Sequence, residues 1–117
     1  MGCQGEQLAV ESLLRKGYVI DVRNFRVPVG EIDIIAHKQG MLVFIEVKTR
    51  RSLRFGRPAA AVGWKKQQRI IRAASWYLNL RHLEQVPCRF DVIEVYYTSA
   101  GNWSIQQLEN AFEIQGR

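Results

Sequence analysis

The chain has little cysteine: Cys3 and Cys88 are its only two, far apart in 117 residues. Neither takes part in a C-x-x-C spacing, which argues against a disulfide framework or a thiolate zinc site and fits reduced thiols. Also lacking is any run near the ~18 apolar residues that span a bilayer, and no basic-then-apolar leader opens the sequence. Met1-Gly2-Cys3 resembles the start of a myristoylation signal, but Glu6 stands where that signal takes Ser or Thr. There is no repeat, low-complexity tract or linker. A soluble, cytoplasmic chain folding as one domain over residues 1–117 is expected. Its hydrophobic content of 47% and charged content of 24% are ordinary globular values.

A more local absence carries more information. Between Val47 and Leu83 there is no Asp or Glu, while ten Lys and Arg residues fall there. Elsewhere the chain holds seven basic against eleven acidic residues, so the net charge of +6 comes from one segment. An acidic body with one concentrated basic region is the footprint of a polyanion partner, most often nucleic acid. The candidate contacts are Arg50, Arg51, Arg54, Arg57, Lys65, Lys66, Arg69 and Arg72. A solvated Arg-rich helix and loop would have the same composition, and an acidic protein partner would also be attracted.

Periodicity divides the chain as α-β-β-β-α-β-β. Residues 3 to 16 have helical spacing and stop at Gly17, a suitable residue just past a helix C-terminus. Tyr18 to Val27 reads as a strand broken by Pro28. Val29 to Ala36 and Met41 to Thr49 read as a hairpin around Lys38-Gln39-Gly40. Ser52 to Pro58 is a basic loop, and helical spacing returns from about Ala60 to Leu80. Cys88 to Thr98 is a strand, Trp103 to Gln106 a short one, and the last dozen residues show no clear pattern. This order predicts an α/β domain with a mixed central sheet flanked by helices.

Within the hairpin, three charged residues interrupt the apolar pattern. Leu42, Phe44, Glu46 and Lys48 share one strand face, and Met41, Val43, Ile45 and Val47 share the other. A two-residue Gln39-Gly40 loop would pair Lys38 with Met41 and set Asp33 opposite Glu46. Opposed like charges are destabilising and need a shared proton, a cation or Lys48 to compensate them. A hard divalent ion takes one or two carboxylates and keeps several waters. Phosphodiester cleavage makes matching demands: a metal to activate water, and a cation to stabilise developing charge. Asp33 and Glu46 could hold the metal while Lys48 positions water or phosphate. The same residues fit a plain salt bridge, with Glu31 or Glu46 paired to Lys48.

The helices add candidates. On a wheel with Leu8 at 0°, Glu6 falls near 160°, amid the apolar arc formed by Ala9, Leu13, Val10 and Leu14. An acid there is costly unless it meets a cation or donor, although an N-terminal dipole role would also account for it. In the second helix Lys66 and Gln67 fall within the packing arc. Lys65, Arg69, Arg72 and Trp76 gather on the outer side.

Gly5-Glu6 with Ala9, Gly17-Tyr18, Asn24 with Arg26, Gly30-Glu31-Ile32-Asp33 and Phe44-Ile45-Glu46-Val47-Lys48-Thr49-Arg50 together resemble the bacterial YraN-type family. Phe55-Gly56, Val62 with Lys66 and Arg69, Tyr77-Leu78, Arg89-Phe90-Asp91-Val92 and Asn110-Ala111-Phe112 extend the resemblance over nearly the whole chain. That family resembles the restriction-endonuclease-like PD-(D/E)xK fold and, within it, the archaeal Holliday-junction resolvases. The resemblance implies a nuclease core with Asp33, Glu46 and Lys48 as catalytic triad and Glu6 as helix acid. The resemblance also implies Mg²⁺ or Mn²⁺ as cofactor; Asp33, Glu46 and Glu6 are the candidate ligands, with Glu31 and Gln67 as supporting candidates. Structured or branched DNA is the implied substrate, in recombination or repair, and a two-fold homodimer is compatible with it. Ile32 stands where the superfamily has Pro. A non-catalytic nucleic-acid-binding module retaining the fold is the alternative. Arg89 and Asp91 would serve as an internal ion pair.

Overall fold

The computed structural model describes residues 2–50, 62–97 and 101–113. Its elements are α1 (Gly2–Arg15), β1 (Val19–Val27), β2 (Gly30–Lys38), β3 (Met41–Arg50), α2 (Trp64–Arg81), β4 (Cys88–Tyr97) and β5 (Trp103–Phe112). The five strands form one open sheet in the order β1-β2-β3-β4-β5. All neighbours are antiparallel except β3 and β4, which run parallel. A parallel pair cannot be joined by a tight hairpin, and α2 lies in the connection between them.

The sheet is covered on both faces. Ala9, Val10 and Leu13 of α1 pack on Ile34, Ala36, Val43, Ile45, Ile93 and Val95. Ile70, Ala73, Ala74 and Tyr77 of α2 pack on Ile35, Leu42, Phe44, Phe90 and Val92 of the opposite face. That is why β3 is apolar at successive positions: it is a central strand with helices on either side.

Local chemistry explains the boundaries. α1 ends in a Schellman motif, with the Tyr18 N–H donating to the Leu13 carbonyl and the Gly17 N–H to Leu14, both at 3.0 Å. Gly17 has φ +93°, which glycine adopts without steric penalty. The hairpin turns at Gln39 (φ 52°) and Gly40 (φ 80°), and Lys38 pairs with Met41. Two successive positive φ values are the twist-compatible two-residue turn.

α2 starts at Trp64, directly after Gly63, which is extended with φ −72° and ψ 167°; the expected start near Ala60 lies outside the described residues. β5 runs past Gln106 to Phe112, with a bulge opposite Asp91. At that bulge Asn110 has φ 53°, and its backbone N–H donates to the buried Asp91 carboxylate at 2.9 Å. A strand whose irregular residue serves a side chain loses the simple alternation that would have marked it.

Gly30 allows α2 to settle on β2. A Cβ at Gly30 would stand 2.1 Å from the Arg69 carbonyl oxygen, a backbone atom with nowhere to move. On the other face, a Cβ at Gly5 would meet Thr49 Oγ1 at 2.2 Å. These two glycines bring both helices close to one end of the sheet, three residues before Asp33 and one before Glu6.

Candidate metal and nucleic-acid site

At that end β2 and β3 part. Their ladder runs from Lys38↔Met41 to Ile34↔Ile45 and stops. β3 continues along β4 as far as Arg50↔Tyr96, while β2 continues along β1 to Gly30. Asp33 and Glu46 are the next residues on the two diverging strands.

The strand alternation also breaks here. Ile32 and Ile35 pack in the same layer although they are three apart, and so do Val22 and Phe25 on β1. Between them Asn24, with φ 55°, faces Asp33 in the register set by Arg23↔Ile34 and Phe25↔Ile32. Asp33 is thereby released from the normal pleat, and its Oδ2 accepts the Val47 backbone N–H at 2.8 Å. The carboxylate takes the place of a ladder bond in the fork.

Glu46 is 5% exposed and meets Lys66 of α2, Nζ to Oε2, at 3.2 Å. Its carboxyl and that of Asp33 also act directly on each other. Burial is the main force raising its pKa, followed by the Asp33 charge; Lys66 and Lys48 oppose them, and the result is about 7. Burial also raises the Asp33 pKa, assisted by the negative charge of Glu6, while the Val47 N–H and the Glu46 hydrogen bond act against the rise. Burial and mutual repulsion thus both make the pair hold a proton more tightly than free carboxylates do.

Glu6 reaches this end from α1. Its Oε1 accepts from Arg23 Nη2 at 3.2 Å and Asn24 Nδ2 at 3.1 Å. Of the arc around Glu6, Ala9, Val10 and Leu13 are buried while Leu14 is exposed, and two β1 donors satisfy the acid. Among the described residues no group of three or more His, Cys, Asp or Glu is placed to hold a metal ion. Asp33 and Glu46 by themselves suit a hard cation that keeps several waters, as Mg²⁺ does with one or two carboxylates. Glu6 acts on the pair through its charge.

Lys48 is partly buried, and its charge acts on Glu46 more weakly than that of Lys66. The closer ammonium group is thus the one from α2. Gln67 donates to the Val62 carbonyl at 2.9 Å, and Glu31 pairs with Arg26 at 3.8 Å, not with Lys48. Lys65, Arg69 and Arg72 are exposed on the outer side of α2, where Trp76 is 41% exposed. Arg50 is half exposed and bonds to Glu94. Arg51, Arg54 and Arg57 lie outside the described residues.

Arg89 and Asp91 belong to a separate network on β4. Arg89 grips the fully buried Asp91 through Nε at 2.9 Å and Nη2 at 3.1 Å, and Nη2 also reaches the Tyr18 hydroxyl at 2.7 Å. Gln107 donates to the same carboxylate at 2.9 Å. Every acceptor is occupied from within, so this is an internal ion pair.

Three partners escaped the sequence reading: the direct Lys66–Glu46 contact, the Asn24 and Arg23 donors to Glu6, and Glu94. The signal for Glu94 was present, since it alternates with Val92 and Tyr96 on one strand face that is otherwise uncharged.

The family model described as Uncharacterised protein family UPF0102 matches residues 5–95, which includes Glu6, Asp33, Glu46, Lys48 and Lys66. The chain belongs to this family. A UPF0102 protein of Syntrophotalea carbinolica is 45% identical over 116 residues, covering 99% of this chain and 94% of its own. One from Symbiobacterium thermophilum is 49% identical over 112 residues, covering 96% and 95%. One from Clostridioides difficile is 44% identical over 108 residues, with 92% of each chain covered. The chain and these relatives thus match over nearly their whole lengths. Among the described residues, no helix is long and apolar enough to cross a membrane.

Proposed function

We propose that this domain is a metal-dependent endonuclease with a restriction-endonuclease-like core, cleaving phosphodiester bonds in structured or branched DNA during recombination or repair. The observation that carries the reading is the adjacency of Asp33 and Glu46, the next residues beyond the last β2–β3 ladder pair, whose carboxyls act on each other in the fork. Two carboxylates held together at a strand end, with Lys66 in contact and Lys48 two residues on, form a site for a divalent cation bordered by positive charge. Mg²⁺ or Mn²⁺ bound there supplies an acidified water and polarises a phosphate oxygen. Lys48 orients the phosphate or the water. Lys65, Arg69 and Arg72 offer an exposed positive surface on α2 that suits a nucleic-acid backbone.

The test is incubation of the protein with branched and linear DNA, with and without Mg²⁺ or Mn²⁺. Cleavage that needs the metal and disappears in Asp33→Ala and Lys48→Ala supports the assignment. Cleavage unchanged in both variants would remove it.

One observation favours a second reading, a nucleic-acid-binding module without catalysis. Lys66 already neutralises Glu46, and Glu6 is engaged by Arg23 and Asn24, so the acids are compensated from within. This reading predicts salt-sensitive binding that is unaltered in the triad variants, with no product under any metal.

A further inference from the structure

Glu94 is a fully buried carboxylate that the proposed cleavage chemistry does not use. It accepts Arg50 Nε at 3.1 Å and, on its other oxygen, the Tyr96 hydroxyl. In the parallel register Glu94 lies beside Lys48 and Tyr96 beside Arg50. Burying a carboxylate between strands is expensive, and an apolar residue of similar volume would fill the space at less cost. What Glu94 does that Leu could not do is hold Arg50 in one place.

Arg50 follows Glu46 and Lys48 at two-residue intervals along β3, so the three side chains leave the same face. The strand rise puts Arg50 roughly 13 Å beyond Glu46, with Lys48 midway. Its side chain is 44% exposed while Glu94 behind it is 0% exposed. Nε is engaged, and among the described residues no other acceptor meets the guanidinium. The remaining donors of the planar fork are matched to a phosphate, and an approaching anion meets them before it meets the buried carboxylate.

We infer that Arg50, held by Glu94 and Tyr96, forms a phosphate subsite for a backbone phosphodiester neighbouring the one at the Asp33–Glu46 pair. This rests on the nucleic-acid reading above. Glu94 is the positioning residue: it touches no phosphate and acts through the orientation of Arg50. The strand then carries a sequence of roles on one face, with Glu46 for the cation, Lys48 for the central phosphate and Arg50 for its neighbour.

The experiment measures binding of a synthetic four-way DNA junction by fluorescence anisotropy in EDTA, across a salt series, so that cleavage plays no part. Arg50→Ala is expected to weaken binding about tenfold at low salt, the worth of one charged hydrogen bond. It should also lower the slope of log K against log salt by about 0.9, one phosphate contact. Arg50→Lys is expected to restore the slope without restoring the full affinity, because it returns the charge and not the fork. Glu94→Gln and Tyr96→Phe should each weaken binding in the wild-type background and have no effect in the Arg50→Ala background. Tyr96→Phe keeps the ring packing and remains informative where Glu94→Gln unfolds. A wild-type salt slope in Arg50→Ala would overturn the subsite. Losses in Tyr96→Phe that persist in the Arg50→Ala background would overturn the positioning role. Absence of any junction binding by the wild-type protein overturns the nucleic-acid reading itself, a different result from normal binding that ignores Arg50.

Discussion

The Asp33 carboxylate accepts the Val47 backbone N–H at 2.8 Å across the fork where β2 and β3 separate. One side chain thus does two jobs: it closes an open ladder position and it offers its remaining oxygen surface beside Glu46. The two jobs can be separated chemically.

Asp33→Asn keeps an acceptor for the Val47 N–H and removes the charge. Asp33→Ala removes both and leaves a part-buried donor without its partner, at a cost of about 1–3 kcal/mol. Urea unfolding should therefore show Asp33→Ala clearly less stable than Asp33→Asn, while isothermal titration shows Mn²⁺ binding reduced in both. Equal stabilities would mean that the Val47 contact contributes nothing to the fold.

The acid pair also makes stability depend on pH. Burial and the Asp33 charge raise Glu46 from the usual 4.5 to about 7 in the folded protein. A raised folded pKa means that the folded state keeps the proton after the unfolded chain has released it. Stability is then highest below pH 4.5 as far as this group is concerned, and falls as pH rises to about 7. The expected loss is roughly 3 kcal/mol in metal-free protein. Glu46→Gln should remove it, so that the variant is the more stable protein at pH 8. Denaturation at pH 5 and pH 8 in EDTA checks the sign, and a wild-type protein more stable at pH 8 in this comparison would contradict the placement of Glu46.

Much of this arrangement is legible in the sequence because it depends on parity. A two-residue Gln39-Gly40 turn, one of the loop lengths the sequence allows, fixes Lys38 against Met41, and counting back puts Asp33 and Glu46 one step beyond the last ladder pair, Ile34↔Ile45. Gly17 likewise announces the end of α1 through its backbone freedom. What could not be read depends on the third dimension. No periodicity tells that Lys66 of α2, and not Lys48 on the same strand, makes the contact with Glu46. The wheel placed Lys66 inward, but which acid it meets depends on how closely α2 approaches the sheet, and Gly30 sets that approach. β5 was read too short because Asn110 leaves the pleat to serve Asp91. Composition could identify the basic segment but could not distinguish Arg50, tied to Glu94, from Arg69 and Arg72 in open solvent.

The Lys66 contact leads to a prediction with an unusual sign. Its ammonium group stands 3.2 Å from Oε2 of Glu46, one of the two acids that would hold a cation. Lysine and metal therefore compete, and Lys66→Met should bind Mn²⁺ about tenfold more tightly at neutral pH, by relief of repulsion between charges a few ångströms apart. The same variant should lose affinity for DNA if Lys66 turns to phosphate once the metal displaces it. Calorimetric titration of both ligands checks this. Unchanged or weaker Mn²⁺ binding would show that the ion sits elsewhere or that Lys66 is needed to hold the acids in place.

The Arg89–Asp91 network provides the complementary test, since it is charged, buried and remote in role from the acid pair. Asp91 is fully buried and accepts from Arg89, Gln107 and the Asn110 backbone. Removing it in Asp91→Ala takes away the buried counter-charge of Arg89, leaving the exposed Glu109 at 3.7 Å, frees the β5 bulge and costs about 3–5 kcal/mol. No group in this network contacts Asp33, Glu46 or Lys48. Under conditions where the variant is still folded, its Mn²⁺ affinity and its DNA salt slope should equal those of the wild-type protein. The result matters because charge alone does not distinguish a structural ion pair from a functional one. Asp91 has every acceptor filled by the protein, whereas Asp33 and Glu46 stand side by side and as a pair keep a proton more readily than free carboxylates. If Asp91→Ala abolished Mn²⁺ binding in the folded protein, that distinction would fail, and β4 would have to be counted as part of the site.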